Sequence, residues 1–229
     1  MSPDVPIFQW KTLPLEGTVA RLRPPFSGAA QDIFILLHGW SGDETFMLRF
    51  AEVAPPSSLV VSFRAPYPAR SVRGGYSWVN YLPGDRPPPA EDYQPALTAL
   101  QRWLANLESR FPSPAWDVQH WIGFSQGAST GGLYVLKYPQ RAATVALLAG
   151  FLPRGVEQWA NNRPLAGKRA FIAHGQEDTI VPLRHAHRAR VLLAQAGADV
   201  MYCEDKVGHK VGARCNKALK AFYAPPSAQ

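Results

Sequence analysis

Three side chains suited to acyl-transfer chemistry follow one another along this chain: Ser125, Asp178 and His209. Ser125 stands in Gly123-Phe124-Ser125-Gln126-Gly127, a G-x-S-x-G spacing between an apolar run at 118–122 and a helical stretch at 126–137. A hydroxyl attacks a carbonyl well only when it stands clear of the backbone. A sharp strand-to-helix turn lifts it clear, and residues two before and two after the serine then crowd the turn, so glycine suits both places. The helix that follows aims its unpaired N–H groups and the positive end of its dipole at the site. An ordinary strand-to-helix turn is the plain alternative for the pentapeptide alone. What argues against it is that the other parts arrive in order.

A serine hydroxyl needs a base to take its proton, and the base needs an acid to orient it. On open α/β sheets carrying this elbow, the chain order is serine, then Asp or Glu, then His. Asp178 lies in a loop after the strand at 169–173 and before a helix, with Glu177 as its neighbouring rival. His209 follows the last strand, at 199–203. His185 and His187 are rivals, but both fall inside a predicted helix at 183–196 and belong on its surface or flank. His38 and His174 each end a strand before glycine, where a structural role bonding loop backbone is expected. His120 falls within a strand as a satisfied core or surface histidine. An oxyanion needs two backbone donors. The elbow supplies the Gln126 N–H. The loop Leu37-His38-Gly39-Trp40-Ser41-Gly42-Asp43 supplies a candidate second donor, the Trp40 N–H, with Gly39 and Gly42 letting the loop bend toward the serine.

The elements that must hold these groups alternate between strand and helix. Runs at 32–37 and 59–63 are continuously apolar, as in strands buried on both faces. An alternating run at 18–23 reads as an edge strand. A short helix is predicted over 44–52, a long one over 93–111, with Leu97, Leu100, Leu104 and Leu107 at helical spacing. Further strands are predicted at 144–149 and 169–173, a last helix at 212–223, and a long structured loop at 74–90. The expected fold class is α/β: a mostly parallel sheet with helices on both faces and ligands at the carboxyl ends of the strands. One domain is expected over 1–229, with its core from 17 to 223.

The chain has 229 residues, is 46% hydrophobic and carries a formal charge of +7. The positive charge is scattered, with no dense basic block among aromatics, so no nucleic-acid partner is expected. Residues 1–6 show no basic leader, and the apolar runs are too short to span a bilayer, so a cytoplasmic location without stable membrane association is expected. The two cysteines, Cys203 and Cys215, make neither a disulfide framework nor a zinc site, and two reduced thiols are the ordinary expectation. Their places suggest an alternative. One ends the strand before the His209 loop and the other begins the helix after it, so a bridge between them would staple that loop.

Leu37-His38-Gly39-Trp40, Gly123-Phe124-Ser125-Gln126-Gly127, the stretch from His174-Gly175 through Asp178 to Val181-Pro182, and Gly208-His209 together resemble the phospholipase/carboxylesterase family of α/β-hydrolases. That family includes carboxylesterases, lysophospholipases and acyl-protein thioesterases, and the resemblance runs from about 17 to 223. It implies Ser125, Asp178 and His209 as a triad, and the Trp40 and Gln126 amides as the oxyanion hole. Gly74-Gly75-Tyr76-Ser77-Trp78 is similar to the family's pocket-lining loop, whereas Asp85-Arg86-Pro87-Pro88-Pro89 matches no feature of it.

The expected activity is a serine carboxylesterase acting on short- to medium-chain acyl esters of small molecules, with no metal or organic cofactor. An acyl-protein thioesterase or lysophospholipase would use the same triad, and a non-catalytic binding module on the same fold is the reading from another class. Trp78, Tyr81, Phe151, Leu152 and Val181, with Trp40, are candidates to line an apolar acyl groove, each with core or loop packing as its alternative. No large cap is expected, because the gap between the strands at 144–149 and 169–173 is only about twenty residues and cannot bury a core of its own.

Overall fold

Strand β3 (Ile33–Leu37) shows how the sequence positions the site. Its five residues are all buried. Side chains alternate along a strand, so Ile33, Ile35 and Leu37 enter one core while Phe34 and Leu36 enter a second core on the opposite face. Strand β4 (Leu59–Phe63) is buried in the same way, with Val61 and Phe63 in the first core and Val60 in the second. A strand covered on both faces needs helices on both sides, and that requirement organises the molecule. The computed structural model describes residues 10–70, 72–80 and 87–224.

The remaining strands of the main sheet are β1 (Lys11–Leu15), β2 (Thr18–Arg23), β7 (Gln119–Phe124), β8 (Ala142–Leu148), β9 (Arg169–Gly175) and β10 (Asp199–Asp205). A separate antiparallel pair is formed by β5 (Tyr67–Pro68) and β6 (Tyr76–Ser77). The eight-stranded sheet runs in the order β1-β2-β4-β3-β7-β8-β9-β10. The β1–β2 and β2–β4 pairs are antiparallel and the pairs from β4–β3 to β9–β10 are parallel. This is the single-domain α/β-hydrolase architecture. On the first core pack α1 (Gln94–Arg110), α2 (Gln126–Lys137), the one-turn α3 (Glu157–Ala160) and α4 (Arg184–Gln195), through residues such as Leu100, Leu133, Ala160 and Leu192. On the second pack the 3-10 turns at Phe46–Val53 and α5 (Ala213–Tyr223), through Met47, Phe50, Leu219 and Phe222.

Two expectations, one about the sheet and one about a helix, are corrected. Residues 18–23 are not the edge strand: β2 is flanked by β1 on one side and β4 on the other. The true edge, Lys11-Thr12-Leu13-Pro14-Leu15, is largely exposed, and a proline without an N–H is tolerated in an edge strand, so its apolar signal is weak. The predicted helix at 44–52 is a run of 3-10 turns. Its start is set by Asp43, whose carboxylate accepts the Thr45 and Phe46 N–H groups at 2.8 and 3.2 Å. Between β8 and β9 the chain holds only the single turn of α3, too little to form a cap domain there.

Cys203 and Cys215 form a disulfide, in place of the two reduced thiols ordinarily expected, with their Cα atoms 5.6 Å apart. β10 and α5 lie against each other, and the His209 loop runs between the bridged residues. Among the described residues no helix is long and apolar enough to cross a membrane.

Candidate active site

The carboxyl ends of β3, β7, β9 and β10 bring four loops to one place. At the end of β7 the chain turns through Ser125 into α2. Ser125 takes φ +53° and ψ −118°, a left-handed conformation that costs a non-glycine residue on the order of 1–3 kcal/mol and clusters at functional sites. The surroundings hold it there. Its N–H donates to the Leu148 carbonyl at 2.8 Å, and its carbonyl accepts from Ala128 N at 3.0 Å and Ser129 N at 3.3 Å. The flanking glycines are sterically required: a Cβ at Gly123 would meet Gly127 O at 2.3 Å, and one at Gly127 would meet Leu37 O at 2.2 Å.

The hydroxyl points at a histidine and an acid from far along the chain. Ser125 Oγ lies 3.0 Å from His209 Nε2, and His209 Nδ1 lies 2.7 Å from Asp178 Oδ2. The Asp178 side chain is fully buried. Its other oxygen, Oδ1, accepts the Ile180 and Val181 N–H groups at 2.9 and 2.8 Å. Burial alone raises a carboxyl pKa, but the hydrogen bonds from His209, Val181 and Ile180, with the His209 charge, outweigh it, and Asp178 sits below the ordinary carboxylate range. An ionised Asp178 accepts the Nδ1 proton. The Nε2 lone pair of His209 is then free to face the Ser125 hydroxyl.

The other two loops complete the setting. The Trp40 and Gln126 backbone N–H groups have no hydrogen-bond partner among the described residues. The Gln126 side chain turns away from the serine, and its Oε1 accepts the Trp78 N–H at 2.8 Å. The loop after β3 is tied down by Ser41 N donating to Tyr76 O and Tyr76 N donating to Gly42 O, both at 2.9 Å. Glu44 adds a two-point contact with Arg64, at 2.6 and 2.8 Å. In front of Ser125 opens a pocket of about 460 Å³, walled mainly by apolar side chains, with Trp40, Phe46, Phe124, Phe151, Ile180 and Val181 prominent among them. That volume is within the range of small-molecule sites.

Against known families, residues 26–223 match the Phospholipase/Carboxylesterase model. The chain belongs to the phospholipase/carboxylesterase family. No curated protein matches it. Among solved structures it is similar to a carboxylesterase from Mesorhizobium loti, at 22% identity over 95% of this chain and 99% of that one, with a TM-score of 0.79. The Bacillus cereus carboxylesterase is 23% identical over 90% and 93% of the two chains, with a TM-score of 0.71. Acyl-protein thioesterase 2 of Zea mays is 22% identical over 89% and 96%, with a TM-score of 0.70. At these identities the likeness is one of fold.

On this hydrolase fold, Ser125, Asp178 and His209 are brought together, and Trp40, Gln126, Phe151 and Val181 line the same pocket. Trp78 and Leu152 do not. Both are fully buried, and the Trp78 indole N–H donates to the His38 carbonyl at 2.8 Å, so Trp78 braces the loop from behind. Leu152 packs in the first core. Their apolar character satisfied either role, and only the direction of the side chain separates wall from core. Tyr81 lies outside the described residues. Of the rivals, Glu177 is exposed, and His187 is exposed with its Nε2 3.0 Å from Glu204. His120 packs in the sheet beside Thr144 and Phe34.

His185 lies half-buried on the flank of α4, as expected, and that flank faces the pocket, which it helps to line. Burial, followed by Arg184, Arg188 and His174, lowers its pKa below the usual histidine value, so it is a neutral wall. Phe46, Phe124, Ile180, Pro182 and the Pro87-Pro88 pair also line the pocket without having been singled out by sequence reasoning. Phe124 and Ile180 had a usable signal, since each stands within two residues of a candidate catalytic group.

Proposed function

We propose that this protein is a serine carboxylesterase acting on short- to medium-chain acyl esters of small, soluble alcohols, working as one domain over 1–229. The observation that carries the reading is the relay from Ser125 Oγ to His209 Nε2 to Asp178, at 3.0 and 2.7 Å, joining residues 84 and 31 positions apart. His209 removes the Ser125 proton as Oγ bonds to the acyl carbon. The carbonyl oxygen takes the negative charge, facing the Trp40 and Gln126 amides. The intermediate collapses, the ester C–O bond breaks, and His209 Nε2 gives its proton to the departing alkoxide. Water then attacks the acyl-enzyme, its proton passes to His209, and Ser125 is reprotonated as the carboxylic acid leaves. Asp178 keeps the imidazole in the Nδ1–H tautomer and balances its charge while it holds the extra proton. The roles ask nothing of a metal or organic cofactor.

The apolar pocket, with only the single turn of α3 between β8 and β9, supports an acyl group of modest length. An acyl thioester would be attacked by the same groups, and the Zea mays neighbour is named as an acyl-protein thioesterase, so thioester hydrolysis is the second reading. A cytoplasmic working place and a stable Cys203–Cys215 bridge are in tension, because the cytoplasm keeps most thiols reduced; a thiol count after denaturation without reductant tests the bridge. The activity test combines fluorophosphonate labelling with 4-nitrophenyl esters and matched acyl thioesters of graded length. Labelling at Ser125 with oxygen-ester turnover is expected. No label on a folded protein would leave a non-catalytic binding module, and preference for long acyl thioesters would favour the thioesterase.

A further inference from the structure

Buried directly behind the loop after β3 is a histidine that the relay does not use. His38 has no exposed surface. Its Nδ1 lies 2.6 Å from the Gly39 carbonyl oxygen, and its Nε2 lies 3.0 Å from the Ala65 backbone nitrogen. These two partners fix the ring's protonation. A carbonyl can only accept, so Nδ1 carries the hydrogen; a backbone N–H can only donate, so Nε2 is bare. Burial, working against the Gly39 bond and the charges of Asp43 and Glu44, lowers its pKa to about 4, so the ring is neutral at ordinary pH.

The Gly39 carbonyl and the Trp40 N–H belong to one peptide unit. That unit is planar and trans, so its C=O and N–H point in opposite directions. Gripping the oxygen therefore aims the hydrogen. Two donors grip it: His38 Nδ1–H, and the Gly42 N–H at 3.1 Å. The ring itself is braced by Ala65 at the end of β4, and the His38 carbonyl by the Trp78 indole. On the other side Gly39 runs tight against the nucleophile, where a Cβ at position 39 would meet Ser125 Cβ at 3.1 Å.

We propose that His38 is a positioning residue for catalysis: its Nδ1–H clamps the Gly39 carbonyl and so holds the Trp40 N–H on the oxyanion that forms at Ser125. The inference rests on the Ser125 reading of the function. It assigns His38 a part in the rate and not only in the fold, because a donor that must be aimed before the charge appears contributes only in the transition state.

The test uses two substitutions that divide the ring between them. His38→Asn keeps an N–H donor at the Nδ1 position and loses the Ala65 contact. His38→Gln places its amide oxygen near the Nε2 position and loses the Gly39 contact. Each forfeits one buried hydrogen bond, so a merely structural histidine predicts the same outcome for both. The clamp predicts that His38→Asn keeps kcat on 4-nitrophenyl butyrate within about fivefold. It predicts that His38→Gln loses about 10- to 100-fold in kcat at unchanged KM, somewhat less than removal of an oxyanion donor outright. The inhibition constant of an alkyl trifluoromethyl ketone, whose adduct with Ser125 carries the oxyanion, rises in parallel for His38→Gln.

Should His38→Gln fail to fold, Gly42→Ala carries the test. A Cβ there meets His38 Nδ1 at 3.0 Å and Gly39 O at 3.2 Å, so kcat falls at constant KM. Equal kcat losses in the Asn and Gln variants, or a Gly42→Ala enzyme with full kcat, overturn the proposal. Failure of the underlying reading looks different: the unsubstituted protein would then neither label at Ser125 nor turn over ester, and both inferences would fall together.

Discussion

Removing the Cys203–Cys215 bridge separates the stability of the His209 loop from its chemistry. The bridge joins residues 12 apart and encloses His209, the proposed base, midway. In the chain-entropy account, closing a loop of this length stabilises the folded state by about 3 kcal/mol relative to the open chain. For a protein of this size about 1 kcal/mol corresponds to 2–4 °C in Tm, so the double variant Cys203→Ala/Cys215→Ala should melt about 6–12 °C lower. Alanine is the right replacement because Cys215 is buried and a serine hydroxyl there would add a polar cost.

Activity should suffer less than stability, because other bonds still fasten the loop. Gln176 N donates to Asp205 O at 2.8 Å, Glu177 N to Val207 O at 3.0 Å, and the Asp205 carboxylate accepts the Cys215 N–H at 2.9 Å. At 25 °C kcat is therefore expected within a few-fold of the unsubstituted enzyme, the folded population still being dominant. The assay is calorimetric melting of both proteins with and without a phosphine reductant, alongside a thiol count after denaturation without reductant. Reductant should lower the Tm of the bridged protein to that of the variant and leave the variant unmoved. Two free thiols in the unreduced protein, or a Tm difference under about 2 °C, would refute the reasoning.

Ser125→Ala should lose on the order of 10⁴- to 10⁶-fold in kcat with an unchanged circular dichroism spectrum, since a triad works as a unit; a purified variant with near-normal turnover sinks the assignment. Asp178→Asn and His209→Ala should be crippled while Glu177→Gln and His185→Ala stay active, and a dead His185→Ala beside a live His209→Ala would reverse the choice of base. In the folded protein His38 stays neutral down to about pH 4, against 6.5 for an exposed histidine. Across that window the unfolded chain binds more protons, so the stability held above pH 6.5 is lost as pH falls toward 4, by up to about 3 kcal/mol from this residue. His174 and His185, also lowered mainly by burial, act in the same direction, whereas Glu204, lowered to about 2 chiefly by the Tyr202 hydrogen bond, acts only below 4.5. Urea unfolding at pH 7 and pH 4.5 checks this, and equal stabilities contradict it. Ester kcat/KM should climb by up to about fourfold per acyl methylene, from roughly 0.8 kcal/mol of burial each, until the pocket is full; an unbroken climb through long chains would speak for the lysophospholipase or thioesterase reading.

Much of this was legible along the chain. The elbow could be read because its constraint is local: Gly123 and Gly127 flank a turn with no room for a Cβ, and that need is written within five residues. The runs Ile33–Leu37 and Leu59–Phe63 announced central strands because burial on both faces leaves no polar position. The order of Ser125, Asp178 and His209 followed from strand ends that a parallel sheet must gather on one side. Where a side chain points after the chain has folded is a different matter. Trp78 and Phe151 are both large aromatics at strand ends, yet one is buried behind the Trp40 loop and the other walls the pocket. His185 stands in the first turn of α4 on the flank that faces the pocket, and a single step of rotation would have hidden it. β1 escaped notice because an exposed edge strand needs little apolar sequence; its place is decided by the partner β2 offers. Sequence position raised the possibility that Cys203 and Cys215 meet, but only the packing of α5 on β10 brings them within bonding reach. Patterns that answer to local sterics and burial are carried by the sequence itself. Relations between residues 31 or 84 positions apart, such as the relay through His209, depend on how whole elements pack, and that is decided only when the tertiary structure forms.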